Sequence, residues 1–197
     1  RRMPELAALV LAAGAGRRFG AIKPLAEVRG QPLVRHAIAL ADAVQPCSLQ
    51  VVLGAQHEAI AARLPDSAGV IVHDGWQRGL GSSIAAGIRG LAGQPDGVLL
   101  LLVDQVALRT QALQALASRW RATPEAVACA DYDGLPGVPA ILPRRLFAAL
   151  EALDGERGAK PLLLAEGDAA LRLPMPEAAI DIDTPTDLAR WLATSPD

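Results

Sequence analysis

Short apolar runs alternate with segments of helical periodicity along this chain, and this alternation restricts the fold more than any other feature. Residues 6–13 are apolar over the length of a strand, and apolar residues then recur at helical spacing over 32–44. Strands that alternate with helices imply right-handed crossovers and a mostly parallel sheet covered on both faces. The pattern therefore predicts a doubly wound α/β fold with strands at 6–13, 49–53, 70–73, 98–103, 126–130 and 180–182, and helices at 32–44, 58–64, 83–91, 110–120 and 146–153.

Length and composition limit the class of protein further. A chain of 197 residues with 51% hydrophobic and 20% charged residues buries a sizeable core, which predicts one globular domain over 1–197. A net charge of −2 argues against nucleic-acid or membrane binding through bulk charge. Because the apolar runs are much shorter than the roughly 18 to 20 residues that span a bilayer, we expect a cytoplasmic protein.

A glycine-rich turn directly follows the first predicted strand. Gly14, Gly16 and Gly20 lie where a parallel sheet collects its ligands, and glycines let backbone N–H groups approach phosphate oxygens. Arg18 and Lys23 add cationic donors that can neutralise a triphosphate. The turn therefore predicts a phosphate-binding loop.

Three interpretations of this turn remain open at this point. It can be an ordinary strand-to-helix turn with solvated basic residues, a dinucleotide-binding loop, or the loop of a nucleotide-transferring enzyme. The dinucleotide interpretation requires an acid at the end of the second strand, where Gly54, Ala55 and Gln56 stand instead. A Walker loop is also disfavoured because Pro24, and not Ser or Thr, follows Lys23.

Carboxylates follow two of the predicted strands. Asp104 comes directly after the apolar run 98–103, at the position where a carboxylate can bind Mg²⁺, although capping of the next turn explains it equally well. Asp181 and Asp183 flank Ile182, and alternation on a strand would direct both to one face. One of them is a candidate second metal ligand, and the other a candidate acceptor for loop N–H groups.

Two further segments near the C-terminus have local signals. Glycine and proline are frequent over 134–143, which predicts a loop of the kind found at active sites. Thr184, Pro185 and Asp187 predict a helix start, with Thr as N-cap, Pro in the first turn and Asp closing a capping box.

Five segments, in order over nearly the whole chain, resemble the motifs of the MobA-like NTP transferase family, and specifically its molybdenum cofactor cytidylyltransferase branch. Residues 11–23 are similar to the nucleotide signature L-A-A-G-x-x-x-R-x-G-x-x-K. Residues 74–83 resemble the G-x-G-S-S segment, and 103–105 the start of the D-Q-P metal motif. Residues 155–160 and 181–185 resemble the G-D-x-G-A-R and D-I-D-T-P segments.

The resemblance implies a Rossmann-like nucleotidyltransferase fold and Mg²⁺-dependent transfer of CMP from CTP to molybdopterin, with release of pyrophosphate. It implies catalytic roles for Lys23, Arg18 and Asp104, with Asp104 and Asp183 as metal ligands. Nucleotide binding is implied for Leu11, Ala12, Ala13, Gly14, Ala15, Gly16, Lys23, Gly79, Gly81, Ser82 and Ser83. Transient contact with a molybdoenzyme or its maturation chaperone is also implied.

Alternative functions stay open beside this one. A guanylyltransferase, or a family member acting on another small phosphorylated acceptor, is the nearest. An NAD(P)-binding oxidoreductase and a non-catalytic nucleotide sensor belong to different classes. The family's guanylyl branch resembles L-A-G-G at the first motif, so the Ala13 methyl favours CTP over GTP by about 1 kcal/mol.

The chain departs from the family pattern at three positions. Val106 stands where the family's motif has proline, Val138 where it has histidine, and Glu156 where it has aspartate. We expect these departures to bear on the acceptor more than on the nucleotide. Trp76 is a candidate to border the nucleotide, whereas His36, His57, His73, Trp120 and Trp191 are interpreted as core or surface residues.

Overall fold

The computed structural model describes residues 1–195, so positions 196 and 197 of the predicted domain lie outside the described residues. Seven of the described strands form one sheet in the order β5-β4-β1-β6-β8-β7-β9, and β2 pairs with β3 in a short hairpin. The strands are β1 Leu6–Ala12, β2 Glu27–Val28, β3 Gln31–Pro32, β4 Ser48–Leu53, β5 Gly69–Val72, β6 Gly97–Leu102, β7 Ala128–Tyr132, β8 Leu135–Pro143 and β9 Leu171–Pro174. The α-helices are α1 Leu33–Asp42, α2 His57–Ala61, α3 Leu80–Arg89, α4 Thr110–Ala122, α5 Phe147–Glu151, α6 Lys160–Ala165 and α7 Pro185–Thr194.

The central strand β1 sets the topology of the main sheet. It pairs in parallel with β4 on one side and β6 on the other, and β4 in turn pairs in parallel with β5. The chain moves outward from β1 through β4 to β5 and then returns to the other side of β1 at β6. The order of the strands therefore reverses beside β1, and the predicted doubly wound, mostly parallel α/β fold is confirmed.

Burial on both faces explains why β1 and β6 are continuous apolar runs. Every residue of β1 is buried, and one face of the sheet packs with α1 and α4 while the other packs with α3, α5 and α6. Parallel strands covered by helices on both faces read as unbroken apolar sequence rather than as an alternating pattern. These strands hold the loops that follow them in fixed positions.

The region 134–143 is not the loop that its glycines and prolines predict. It is β8, which runs antiparallel to both β6 and β7. The pairing of β7 with β8 shifts register between Cys129 and Ala130, so the ladder tolerates an irregular strand. Prediction failed because burial between two neighbouring strands outweighs the weak strand preference of glycine and proline.

The strand predicted at 180–182 is also wrong. These residues have no strand assignment in the described chain, and they follow a 3₁₀ turn at Pro176–Ala179. The closing strand is instead β9, which pairs in parallel with β7. Its four residues alternate between partly buried and exposed positions, too short a pattern to stand out in the sequence.

The predicted start of the last helix is confirmed in detail. Thr184 Oγ1 accepts a hydrogen bond from the Asp187 backbone N–H at 3.1 Å, and Asp187 Oδ2 accepts from the Thr184 N–H at 3.0 Å. These two bonds form a capping box, with Pro185 in the first turn. As for membrane association, none of the helices in residues 1–195 has the length and apolar character needed to cross a bilayer.

Candidate functional site

A cleft of about 510 Å³ opens above the carboxyl ends of β1 and β6. This is the edge of the sheet at which the strand order reverses, and ligands of doubly wound folds bind there. The loop after β1 forms the floor, and the turn before α3 forms one wall. The lining residues are Leu11, Ala12, Ala13, Gly14, Ala15, Gly16, Arg17, Lys23, Pro24, Trp76, Gln77, Gly79, Leu80, Ser83, Leu102, Val103, Asp104 and Glu156.

The loop after β1 is held by a few local contacts. The Ala13 carbonyl accepts a hydrogen bond from the Ala55 N–H at 3.1 Å, which ties the loop to the end of β4. Phe19 is buried and anchors a short 3₁₀ turn at Arg17–Phe19. A second 3₁₀ turn, Lys23–Leu25, begins where the loop returns to the sheet, so Lys23 is directed into the cleft.

Lys23 links the two carboxylates that the sequence singled out. Its Nζ lies 3.0 Å from Asp104 Oδ2 and 3.8 Å from Asp183 Oδ1. The Lys23 and Asp104 side chains are only 14% and 18% exposed, so solvent screens their attraction less than it would at the surface. Arg18 Nη2 lies 3.5 Å from Asp183 Oδ2, although the Arg18 side chain is largely exposed.

The donor set at this cluster fits a hard divalent cation. Within residues 1–195 no group of three or more His, Cys, Asp and Glu side chains is arranged to hold a metal ion. Mg²⁺ in nucleotide enzymes commonly needs only one or two protein carboxylates, because phosphate oxygens and waters complete its octahedron. Asp104 and Asp183, which contact one ammonium group from two sides, supply such a pair.

Asp181 stands near these carboxylates but not on a strand, so the geometry expected from alternation is wrong. Burial, followed by the negative charges of Asp104 and Asp183, raises the pKa of Asp181 to about 6. The side chain is therefore partly protonated close to neutral pH. The raised pKa of Asp181 thus has burial as its main cause and the nearby carboxylates as the second.

The turn before α3 is built for close backbone approach. Gly79 has φ of 102°, which L side chains rarely adopt, and a Cβ there would lie 2.6 Å from the Gly155 carbonyl oxygen. The Gly81 N–H donates a 2.9 Å hydrogen bond to that same oxygen. Glycine at these two positions lets the segment around Gly155 pack directly on the wall of the cleft.

His73 supports the same turn, a role that its sequence context did not indicate. Ser82 Oγ donates to the Gly79 carbonyl at 2.7 Å and accepts from His73 Nε2 at 2.9 Å. Burial, together with the charges of Arg89 and Arg78, lowers the pKa of His73, so the imidazole is neutral with its proton on Nε2. No motif marks His73, and only the fold brings it to Ser82.

Gln105, part of the segment that resembles the D-Q-P motif, has a structural role that the sequence did not predict. The side chain is 3% exposed, and its Nε2 donates to the carbonyls of Val138 at 2.9 Å and Ala178 at 3.1 Å. It thereby fixes β8 and the 3₁₀ turn before Asp181 to the residue that follows Asp104. Val138, one of the departures from the family pattern, is therefore joined to the carboxylate edge through its backbone.

Most residues that the sequence nominated for nucleotide binding, catalysis or metal binding line the cleft, and a few do not. Gly81 and Ser82 lie in the first turn of α3 behind the wall, and Arg18 and Asp183 stand beside the cleft without lining it. Trp76 does line it, as do Arg17, Gln77 and Glu156, three polar residues absent from the nominated set.

A phosphate-type loop at the strand-order reversal, with a lysine and carboxylates beside it, is typical of α/β nucleotidyltransferases. The family model for the MobA-like NTP transferase domain matches residues 8–170. The chain therefore belongs to the MobA-like NTP transferase family, as its motifs indicate.

Known proteins are similar to this chain in sequence and in fold. The bifunctional protein GlmU of Anaeromyxobacter dehalogenans strain 2CP-C is 31% identical over 174 residues, which cover 81% of this chain and 36% of the relative. The chain thus spans about a third of that relative's length.

Among solved structures, Rv0371c from Mycobacterium tuberculosis H37Rv superposes with a TM-score of 0.83 at 23% identity, covering 98% of this chain and all of that one. The molybdopterin-guanine dinucleotide biosynthesis protein A from Archaeoglobus fulgidus superposes with a TM-score of 0.65 at 19% identity, covering 93% of this chain and 95% of that one. These likenesses establish the nucleotidyltransferase fold.

Proposed function

We propose that this protein transfers CMP from CTP to molybdopterin, with a divalent cation and with pyrophosphate as the leaving group. One observation carries the proposal: Lys23 contacts Asp104 and Asp183 at the rim of a cleft whose floor is the loop after β1. Cations for a triphosphate and carboxylates for a metal thus adjoin one nucleotide-sized cavity. Phosphoryl-type transfer depends on this kind of positioning and charge neutralisation more than on a covalent protein group.

The reaction follows from these positions. A phosphate oxygen of the acceptor attacks the α-phosphorus of CTP, the bond from that phosphorus to the bridging oxygen breaks, and pyrophosphate leaves with the electron pair. Lys23 and Arg18 bind the phosphate oxygens and stabilise the negative charge that develops on them. Asp104 and Asp183 would hold Mg²⁺, which supplies further charge neutralisation when bound. The neighbour Rv0371c, also solved in complex with manganese, supports a divalent cation.

Nucleotide binding is assigned to the floor and to the wall of the cleft. The backbone over 11–16 approaches the base, the ribose and the first phosphates, and Gly79 and Ser83 line the opposite side. Gly81 and Ser82 act from behind the wall by keeping the turn before α3 in shape. The Ala13 side chain is 4% exposed, so a base larger than cytosine meets a methyl group already in place.

Molybdopterin as the acceptor rests on two independent lines of support. The segments 155–160 and 181–185 resemble motifs of the cytidylyltransferase branch. The Archaeoglobus neighbour is by name a molybdopterin-guanine dinucleotide biosynthesis protein. That name also makes GTP the second candidate donor. We further propose that one domain over 1–197 acts in the cytoplasm and passes its product to a molybdoenzyme or its chaperone.

A two-stage experiment tests the proposal. Melting temperature is measured with CTP, GTP, ATP, UTP and NADPH, each with and without Mg²⁺, because a ligand at 100 times its Kd adds about 2.7 kcal/mol of apparent stability. Pyrophosphate release is then measured with each nucleotide and with molybdenum-bound molybdopterin. We expect a Mg²⁺-dependent shift with CTP, and pyrophosphate release only when acceptor is present.

Other outcomes of this experiment separate the alternatives. A larger shift and faster turnover with GTP would assign the protein to the guanylyl branch. A shift with CTP but no pyrophosphate release would leave a nucleotide-binding protein that does not use this acceptor. A shift with NADPH alone would contradict the transferase assignment altogether.

A further inference from the structure

The segment 154–157 forms a wall of the cleft that is fixed rigidly to the turn before α3. Arg78 Nη2 lies 2.9 Å from Asp154 Oδ2, and Arg78 Nε donates to Asp154 Oδ1 at 3.1 Å. The Gly81 N–H binds the Gly155 carbonyl, and a Cβ on Gly79 would lie 2.8 Å from the Glu156 nitrogen. This close packing holds the backbone of Glu156 in one place.

Glu156 is the residue of this segment that lines the cleft. Its side chain is exposed, and among residues 1–195 no donor is recorded within hydrogen-bond or ion-pair distance of its carboxylate. The neighbouring acid Asp154 is occupied by Arg78. Glu156 therefore offers hydrogen-bond acceptors to whatever enters this part of the cleft.

The charges of the cleft indicate which part of a nucleotide meets Glu156. A second cavity of about 270 Å³ adjoins the first and shares residues 14–17, Lys23 and Pro24 with it, but not Glu156. The basic residues Arg17 and Lys23 lie at this shared end, which suits the triphosphate. Glu156 does not line the second cavity, and it lies beside Gly79 on the α3 wall, which the proposed function assigns to the nucleotide, so its carboxylate can reach the base.

We propose that Glu156 is a specificity-determining residue that selects a base with an exocyclic amino group and rejects uracil. A carboxylate only accepts hydrogen bonds, and cytosine presents an N4–H₂ donor where uracil presents the O4 acceptor. This inference rests on the proposed function and deepens it: Ala13 limits the size of the base, and Glu156 tests its hydrogen-bonding pattern. Gln77 also lines the cleft, but its amide both donates and accepts and so does not discriminate by itself.

The test compares CTP and UTP on the whole chain. Kd with Mg²⁺ and the rate of pyrophosphate release are measured for wild type, Glu156→Gln, Glu156→Asp and the control Glu151→Gln, which removes the same charge from an exposed position at the end of α5. We expect wild type to prefer CTP by at least tenfold. Glutamine can rotate its amide to serve either base, so Glu156→Gln should bring the ratio within about threefold of unity.

Two further variants complete the expected pattern. Glu156→Asp keeps an acceptor-only group and should retain most of the CTP preference, and Glu151→Gln should keep all of it. Melting temperatures without nucleotide should be the same for all four proteins, because Glu156 contributes no recorded contact to the fold.

Three outcomes would overturn the inference. An unchanged CTP-to-UTP ratio in Glu156→Gln, with CMP transfer intact in wild type, rejects the role of Glu156 and leaves the proposed function standing. If Glu156→Gln weakens the binding of CTP and UTP equally, and the 2′-deoxynucleotides show no such loss, then the carboxylate binds the ribose and not the base. If the wild-type protein binds none of these nucleotides, both proposals are rejected.

Discussion

The two halves of the main sheet contribute to the cleft in different ways. The N-terminal half, residues 6–105, holds the parallel strands β5, β4, β1 and β6, and every residue that lines the cleft except Glu156 belongs to it. The C-terminal half, residues 106–195, contains the antiparallel β8 and reaches the site through loops that carry Glu156, Asp181 and Asp183. The comparison teaches that the proposed nucleotide site is built into the parallel strands and the loops between them, whereas loops of the C-terminal half supply the acidic groups beside it.

Side-chain contacts between these halves help to hold them in register at the site. Lys23 reaches from the N-terminal half to Asp183 in the C-terminal half, and Gln105 binds two backbone carbonyls across the same boundary. Substitutions at the cleft should therefore change turnover or the preference for the nucleotide donor. Substitutions at the contacts between the two halves should lower the stability of the fold. The following predictions test that division.

The largest effect is expected for Asp104→Asn, in the N-terminal half. Loss of this carboxylate removes a proposed metal ligand and the 3.0 Å partner of Lys23, so kcat should fall about 10³-fold, or about 4 kcal/mol. Steady-state pyrophosphate release measures the loss. Asp168→Asn, at an exposed position, is the control and should keep wild-type kcat. Equal activity in Asp104→Asn would remove Asp104 from the mechanism.

Gln105→Leu should weaken the contact between the two halves. The change removes two hydrogen bonds and leaves the buried carbonyls of Val138 and Ala178 unpaired, which should lower the free energy of unfolding by about 2–3 kcal/mol. Urea denaturation measures it, with Gln111→Leu on the exposed side of α4 as the control. A loss no larger than that of the control would mean that other contacts hold the halves together.

Ala13→Gly tests the base pocket within the N-terminal half. Removal of one buried methyl makes room for a larger base, so the CTP-to-GTP ratio of kcat/KM should fall about fivefold, equivalent to about 1 kcal/mol. Ala122→Gly, at the end of α4, changes a residue that does not line the cleft and should leave the ratio unchanged. If Ala13→Gly also leaves it unchanged, the size explanation for base choice is wrong.

His73→Gln should have the smallest effect, visible in the pH dependence of stability. Burial lowers the pKa of His73 in the folded protein, so the folded chain binds fewer protons than the unfolded one. The contribution of His73 is complete above the unfolded imidazole pKa of about 6.5 and is lost as the pH falls through the lower folded value. Glutamine keeps a donor for Ser82 without titrating, so thermal or urea unfolding between pH 7 and pH 5 should depend less on pH. A slope equal to that of wild type would exclude His73 as its source.

Prediction from sequence worked best where a strand is buried on both faces. The runs that form β1, β4 and β6 are continuously apolar because helices cover the sheet on either side, and their positions were predicted to within a residue or two. In the C-terminal half, β8 was missed because its stability comes from pairing with β6 and β7, not from its own glycine-rich and proline-rich sequence. The strand expected at 180–182 was wrong for the opposite reason. Its sequence alternates apolar and polar residues as a strand does, but no neighbouring strand in the described part of the chain pairs with it.

The candidate site divides in the same way. Its motifs, Asp104 and the glycine-rich loop were visible because each lies directly after a predictable strand. The roles of His73 and Gln105 were not predicted, because they are hydrogen bonds to Ser82 and to the carbonyls of Val138 and Ala178, which no spacing rule encodes. The assignment of one domain to 1–197 stays a prediction.

The sequence by itself determined the α/β class and the family, and it nominated candidate residues for phosphate and metal, because apolar periodicity and local motifs depend on neighbours along the chain. Only the tertiary structure decided which of these residues meet. Lys23 and Asp104 are 81 positions apart, and Asp183 lies farther still, yet both carboxylates approach one ammonium group. The physical reason is the reversal of strand order beside β1, which gathers loops from distant parts of the chain at one edge of the sheet.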